Sequence, residues 1–283
     1  MALTRAYEEH EVSAEIKRAY AEARIAFDLP FVPTLFKVSA GLPEYLRVMW
    51  RDLEPVAASK EFRAASEALE EYLRSLAIRG GWRLRGQEEA LAALKFSVSD
   101  TETMALVVTT FARALPRMAL FARLMQRGYS GGQRGRVSGS RQASAQSRLM
   151  TLHIPNERDA ALRCWLIYSD IKRTTGAKNV LSAFRVLSPY PSYLASVWLE
   201  TKRLLSDSAF QRARDEAGKR VLGLLNGLPV RDHRALARGL APADWREIEE
   251  TVDGFARLLP QFALSTVVWQ RSFPLTGGKF AAA

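Results

Sequence analysis

With one cysteine, Cys164, in 283 residues, the chain has no internal disulfide, no CxxC redox pair and no cysteine-built metal cluster. The three histidines, His10, His153 and His233, are far apart and fall in no HxxxH or HxH spacing, so no metal site is expected. No stretch approaches the roughly 18 uncharged apolar residues of a membrane span, and the first ten residues lack the apolar core of a signal peptide. A cytoplasmic protein without membrane contact is the expectation. Phosphate loops, Ser-His-Asp sets and paired-carboxylate motifs are also missing, which leaves cofactor-free chemistry or simple binding. Acid is absent from Arg127 to Arg148, a run of Arg, Gly, Ser and Gln with almost no large apolar side chain. Such a stretch cannot offset its ordering entropy by burial and reads as a flexible linker over 128–150.

What the chain does have is 48% hydrophobic residues, enough for a real core, and a formal charge of +11 from 41 Lys and Arg against 30 acids. That excess permits nucleic-acid binding. The arginines are scattered over many helical faces, however, and the linker lacks the interleaved aromatics that stack on bases, so solvated helix surfaces are the reading and nucleic acid is not an expected partner. A basic nucleic-acid-associated protein stays open as an alternative.

The chain also repeats itself. The segment from Phe36 to Trp50 returns as Phe184 to Trp198, with Phe, Val, Pro, Tyr, Leu and Trp at matching places, Lys37 answered by Arg185, and a constant spacing of 148. The same register pairs Tyr20 with Tyr168, Val32 with Val180 and Phe62 with Phe210. Further on, Phe111 to Leu120 returns as Phe255 to Leu264, 144 residues later. Two tandem homologous repeats, 1–127 and 151–283, follow, and an intramolecular pseudo-dimer with a cavity between them is the simplest packing. Association into a homodimer is left open.

Apolar spacing makes both repeats all-α. Ser13 caps a helix that stops before Pro30; Pro30 and Pro33 force a bend, and a short apolar segment follows from Thr34 to Ala40. Pro43 opens the next helix, Ser59 caps a long one ended by Gly80 and Gly81, and a shorter helix spans 87–96. Ser99 and Asp100 are read as the cap of a helix broken at Leu115-Pro116. The second repeat gives helices over 160–172, 191–205 and from Asp207 to about Leu225, then one starting at Pro242.

The bends and the two Phe-Ala-Arg-x-Leu-Pro turns should line the cavity, because they are repeated yet irregular. There Arg113 and Arg257, flanked by apolar residues, need a carboxylate or a bound anion as partner. Trp50 and Trp198 read as core.

Pro30-Phe31-Val32, the Leu-x-Pro-x-Tyr-Leu block ending at Trp50, the linker, and Ser182-Ala183-Phe184 through Pro191 together resemble the group I (DehI-type) 2-haloacid dehalogenases, from about Val12 to Ser272. The resemblance implies an all-α protein with its site between the repeats. It also implies a cofactor-independent hydrolase acting on a carbon–halogen bond of a small 2-substituted carboxylic acid, with an aspartate activating water. Carried over residue by residue, it makes Phe31, Thr34, Leu115, Ser182, Ala183, Phe184 and Arg257 pocket positions, with Arg113 added by the repeat. Only Ser182 keeps a polar family residue, so Ser182 and Arg257 are the catalytic candidates. The family's Ser-Asp-Phe reads Ser182-Ala183-Phe184 here, and alanine cannot take a proton from water. Asp170, Glu22 or, more remotely, His153 would have to stand in; otherwise the chain is a small-acid binding protein or an enzyme of different chemistry.

Overall fold

The computed structural model describes residues 5–129, 152–228 and 240–273. Most of the 128–150 linker, and the carboxy-terminal alanines, lie outside the described residues. Eleven α-helices are found among the described residues: α1 (Ala14–Phe27), α2 (Thr34–Ser39), α3 (Pro43–Ala57), α4 (Lys60–Arg79), α5 (Gln87–Ala93), α6 (Val98–Tyr129), α7 (Leu162–Thr175), α8 (Ser182–Arg185), α9 (Pro191–Ser206), α10 (Ser208–Leu225) and α11 (Pro242–Ser272). The fold is all-α.

Local chemistry accounts for most of the helix ends. Ser13 Oγ accepts the Ile16 N–H at 3.4 Å, Ser59 Oγ the Phe62 N–H at 3.1 Å, and the Asp207 carboxylate the Phe210 N–H at 2.8 Å. Each satisfies a backbone donor that the first helical turn leaves open. At the C-termini, Asp28 (φ 53°) closes α1 and Gly176 (φ 69°) closes α7 in the left-handed region. Lys95, also left-handed at φ 51°, ends the chain's helical course just after α5, short of Phe96.

Two sequence expectations are corrected. The cap of α6 is Ser97: its Oγ accepts the Asp100 N–H at 3.1 Å and its own N–H goes to Asp100 Oδ2 at 3.0 Å, a reciprocal capping box in which Asp100 is the third helical residue. Pro116 does not break α6, and Pro260 does not break α11; both lie inside continuous helices. A proline loses one hydrogen bond and crowds the carbonyl four residues back. Those residues are Ala112 and Ala256, both fully buried, and burial of the surrounding turns outweighs the local loss. One apolar window of α6 is long enough by composition to cross a membrane, but 67% of it is buried inside the protein, as a core helix would be.

The described residues fall into two compact units, one drawn from Met1–Leu69, Pro116–His153 and Gly218–Pro260, the other from Glu70–Leu115, Ile154–Ala217 and Gln261–Ala283. These cut across the two sequence halves. In the first unit α1 packs on α3 and Phe27 gathers the rings of Phe36, Trp50 and Phe62, each at 5.9 Å, and Phe121 at 4.9 Å. In the second, α7 packs on α9 and Phe184 meets Trp198 at 5.6 Å, Phe262 at 5.6 Å and Trp269 at 5.1 Å, all edge to face. Phe36 and Phe184 are the matching residues of the repeated segment, and each is completely buried.

Candidate functional site

In the second unit the bend after α7 is fixed from both sides. Thr175 Oγ1 donates to the Ile171 carbonyl at 2.8 Å and accepts from the Ala177 N–H at 3.2 Å. Three residues after Ala177, the Val180 N–H donates to Glu157 Oε2 at 2.9 Å, while the other carboxylate oxygen of Glu157 takes Lys172 Nζ. Leu181 then enters the single turn of α8 in extended conformation, and every residue from Val180 to Leu187 is buried.

That turn presents Ser182, Ala183, Phe184 and Arg185, with 5%, 2%, 0% and 1% of their surface exposed. Arg185 Nη2 donates to Ser182 Oγ and Nη1 to the Pro155 carbonyl, both at 3.4 Å. A guanidinium is charged at every accessible pH, so the turn holds a permanent positive charge in a low-dielectric place. Burial pushes the nearby Tyr168 hydroxyl up to about 12, with the Arg185 charge and a hydrogen bond to Ser188 opposing the rise. Ala183 brings a methyl group and no ionisable function. Phe184 fills the aromatic core described above.

The first unit carries the matching bend. Pro33 leads into α2; Phe31 and Thr34 are each 6% exposed, and Leu35, 148 residues before Ala183, is 2% exposed. Lys37, at the place of Arg185, is buried and ion-paired with Glu8. The bend is tied down by Tyr7 N–H to the Lys37 carbonyl and Leu152 N–H to the Pro30 carbonyl, both 3.0 Å.

The substitute bases are committed elsewhere. Asp170 accepts Lys202 Nζ at 2.8 Å, Trp198 Nε1 at 2.8 Å and Arg173 Nη2 at 2.7 Å. These bonds hold its carboxyl well below the usual carboxylate range, which makes it a weak base. Glu22 accepts Trp50 Nε1 and Arg18 Nε, each at 3.0 Å. His153 is exposed.

Arg113 and Arg257 are corrected as well. Because the Phe-Ala-Arg-x-Leu-Pro blocks are helix and not turn, the helical period carries both arginines outward, and both are exposed. Arg113 and Leu115 belong to the second unit with Ser182, whereas Arg257 belongs to the first with Phe31 and Thr34. Leu115 is buried. One turn beyond Arg113, Arg117 is the arginine that turns inward: its Nη1 donates to the Phe27 carbonyl, at the end of α1, where a cation offsets the helix dipole. Sequence reasoning also missed Glu157 as the anchor of the second bend. Its only signal was that Glu9, 148 residues earlier, stands at the same place and pairs with Arg24 as Glu157 pairs with Lys172.

Among the described residues no group of three or more His, Cys, Asp or Glu side chains is placed to hold a metal ion.

A family model described as halocarboxylic acid dehydrogenase DehI matches residues 30–184, which include both bends. The chain is 25% identical over 276 residues to an (R)-2-haloacid dehalogenase of Pseudomonas putida, covering 93% of this chain and 91% of that one. It is 23% identical over 232 residues to the (R)-2-haloacid dehalogenase of Rhizobium sp. (strain NHG3), covering 78% and 86%. Among solved structures it is similar to a D-2-haloacid dehalogenase mutant in complex with D-2-CPA, at TM-score 0.84 and 22% identity over 95% of this chain and 96% of that one. The same enzyme class in complex with L-LA gives TM-score 0.84 and 23% identity at the same coverage.

Proposed function

Since the chain belongs to the halocarboxylic acid dehydrogenase DehI family, we propose that it takes up a small 2-substituted carboxylic acid between its two sequence repeats and has lost hydrolytic dehalogenation. The observation that carries this reading is the buried Ala183, seated beside Ser182 where the resemblance calls for the water-activating aspartate. Loss of a general base alone costs about 10²–10⁴ in rate. Asp170 and Glu22 do not replace it, since their oxygens already hold the two tryptophan indoles and the basic side chains around them. Binding draws on the turn itself: the Ser182 hydroxyl and the buried positive charge of Arg185 attract a carboxylate, and the apolar side chains of Ala183 and Phe184 beside them suit a short hydrocarbon. The two repeats are taken to relate to one another as an intramolecular pseudo-dimer.

Two measurements separate binding from chemistry. Incubation of the purified protein with each enantiomer of 2-chloropropionate should release no halide above a protein-free blank. Thermal denaturation in the presence of 2-chloropropionate or lactate should show a midpoint that rises with acid concentration. Halide release by the unmodified chain would sink the loss of hydrolysis, and a midpoint that ignores both acids would sink the binding.

A further inference from the structure

In the first unit the last turns of α6 and α10 border an open groove of about 440 Å³, lined by Arg123, Gln126 and Arg127 on one side and by Leu222, Gly223 and Asn226 on the other. Two positive charges line it. The acid tied to this wall is Asp253, whose Oδ1 accepts Gln126 Nε2 at 2.7 Å; Gln126 Oε1 in turn accepts Arg123 Nη1 at 2.6 Å. Arg123 is thus held by a neutral amide, and its Nε is buried with no hydrogen-bond partner. Burial lowers its pKa, with Asp253 opposing only in part.

The repeat shows that packing does not call for this arginine. Gln126 and Arg127 return 144 residues later as Gln270 and Arg271, and Arg271 donates to the Ala77 carbonyl near the end of α4. Arg123, by contrast, is answered by Val267, which is 2% exposed. A valine serves at this helical position in one repeat; in the other it is a partly desolvated guanidinium whose Nε edge lacks an acceptor. Leaving such a donor unsatisfied is costly, and a carboxylate or phosphate oxygen is the group that a guanidinium edge binds side-on with two parallel bonds.

We propose that this groove is a binding site for a small oxyanion, a phosphate or carboxylate group seated on Arg123 with Arg127 as the second positive charge. The site is independent of the turn at Ser182. The groove is open across Gly223, where a Cβ would meet nothing within 4 Å, so a larger side chain there enters the groove without straining the helix.

Calorimetric titration of the full chain at low ionic strength, with inorganic phosphate in one series and propionate in another, tests the proposal. Saturable binding of either anion is expected, weakened about tenfold or more by Arg123→Val, the residue the other repeat carries, and by Gly223→Leu, which occupies the groove. Phosphate binding alone assigns the phosphate arm, and propionate binding alone the carboxylate arm. Absence of saturable binding by both anions, or binding that neither variant alters, overturns it. Thermal midpoints of the two variants within a few degrees of the parent exclude misfolding as the cause.

Discussion

Trp198 donates its indole N–H to Asp170 at 2.8 Å, and Trp50, 148 residues earlier, donates its own to Glu22 at 3.0 Å. Aspartate and glutamate differ by one methylene, yet both reach across 28 residues of sequence to the same atom of the same side chain. In each case the carboxylate sits on the opening helix of its bend, and the tryptophan on the helix that follows it. The pair therefore fastens α1 to α3 and α7 to α9, on either side of the buried turns.

Asp170→Asn keeps an acceptor for the indole and removes the charge that Lys202 and Arg173 face. Arg173 is exposed and Lys202 half-buried, so solvent screens much of the pairing, and the expected loss is about 1 kcal/mol, or about 2–4 °C in melting midpoint. The sign of the pH dependence is fixed by the depressed carboxyl. Its contribution is fully present above the unfolded value of about 3.9 and is lost as pH falls through the lower folded value. Melting curves should show a constant gap between parent and variant from neutral pH to about pH 5, narrowing below about pH 4. A gap that widens on acidification would contradict this assignment.

A second fastening in the same unit gives a cleaner test of a single hydrogen bond. Trp269 Nε1 donates to Thr201 Oγ1 at 2.9 Å, with Thr201 0% and Trp269 5% exposed. Thr201→Val conserves shape but strands a buried indole N–H, which should cost about 1–3 kcal/mol. Thr201→Ser keeps the acceptor and gives up one methyl, about 0.8 kcal/mol. Urea unfolding should therefore rank the variants parent, serine, valine in falling stability.

Much of the fold is legible in the sequence wherever a local interaction decides it. Ser13, Ser59 and Asp207 announce helix starts because a short polar side chain beside an apolar stripe has little else to do. Failures occur where distant packing decides. In the sequence Pro116 looks like an interruption, and the expectation for Arg113 depends on it: in a turn the arginine would face inward, but in the continuous helix it falls seven residues after exposed Leu106 and shares its outward face. Arg257 follows exposed Glu250 in the same way. At the site, the missing carboxylate at Ala183 was visible once the family resemblance was drawn. Only part of the engagement of Asp170 and Glu22 is local, through Arg173 three residues on and Arg18 four residues back; the indoles of Trp198 and Trp50 come from other helices, and no local pattern reports them.

Pro116 supplies a third prediction by magnitude. Alanine at this position returns an N–H to the Ala112 carbonyl and removes the ring clash, a gain of up to about 3 kcal/mol in an ordinary helix interior. It also removes about two buried methylenes, roughly 1.6 kcal/mol. The balance favours Pro116→Ala by about 1 kcal/mol, read as a small rise in melting midpoint. Pro260→Ala should behave alike, since Ala256 stands behind it as Ala112 stands behind Pro116.

Ala183→Asp tests the chemistry at the buried turn. A carboxylate at a position 2% exposed is expensive unless it is paired. The Arg185 guanidinium, two residues on and equally buried, is the near positive charge that makes ionisation tolerable, so the variant should fold with a loss of about 2–4 kcal/mol in chemical denaturation. If the rest of the family's catalytic surroundings persists, halide release from 2-chloropropionate should emerge in the variant and rise with pH as the new carboxyl ionises. The Leu35→Asp variant, which puts the same group at the matching place of the other repeat, should gain no halide release, because the resemblance places the water-activating carboxylate at residue 183 alone. Activity in neither variant, with both still folded, would mean that more than the base has been lost, and the buried Leu115, a pocket position by the resemblance, would be the next one to restore.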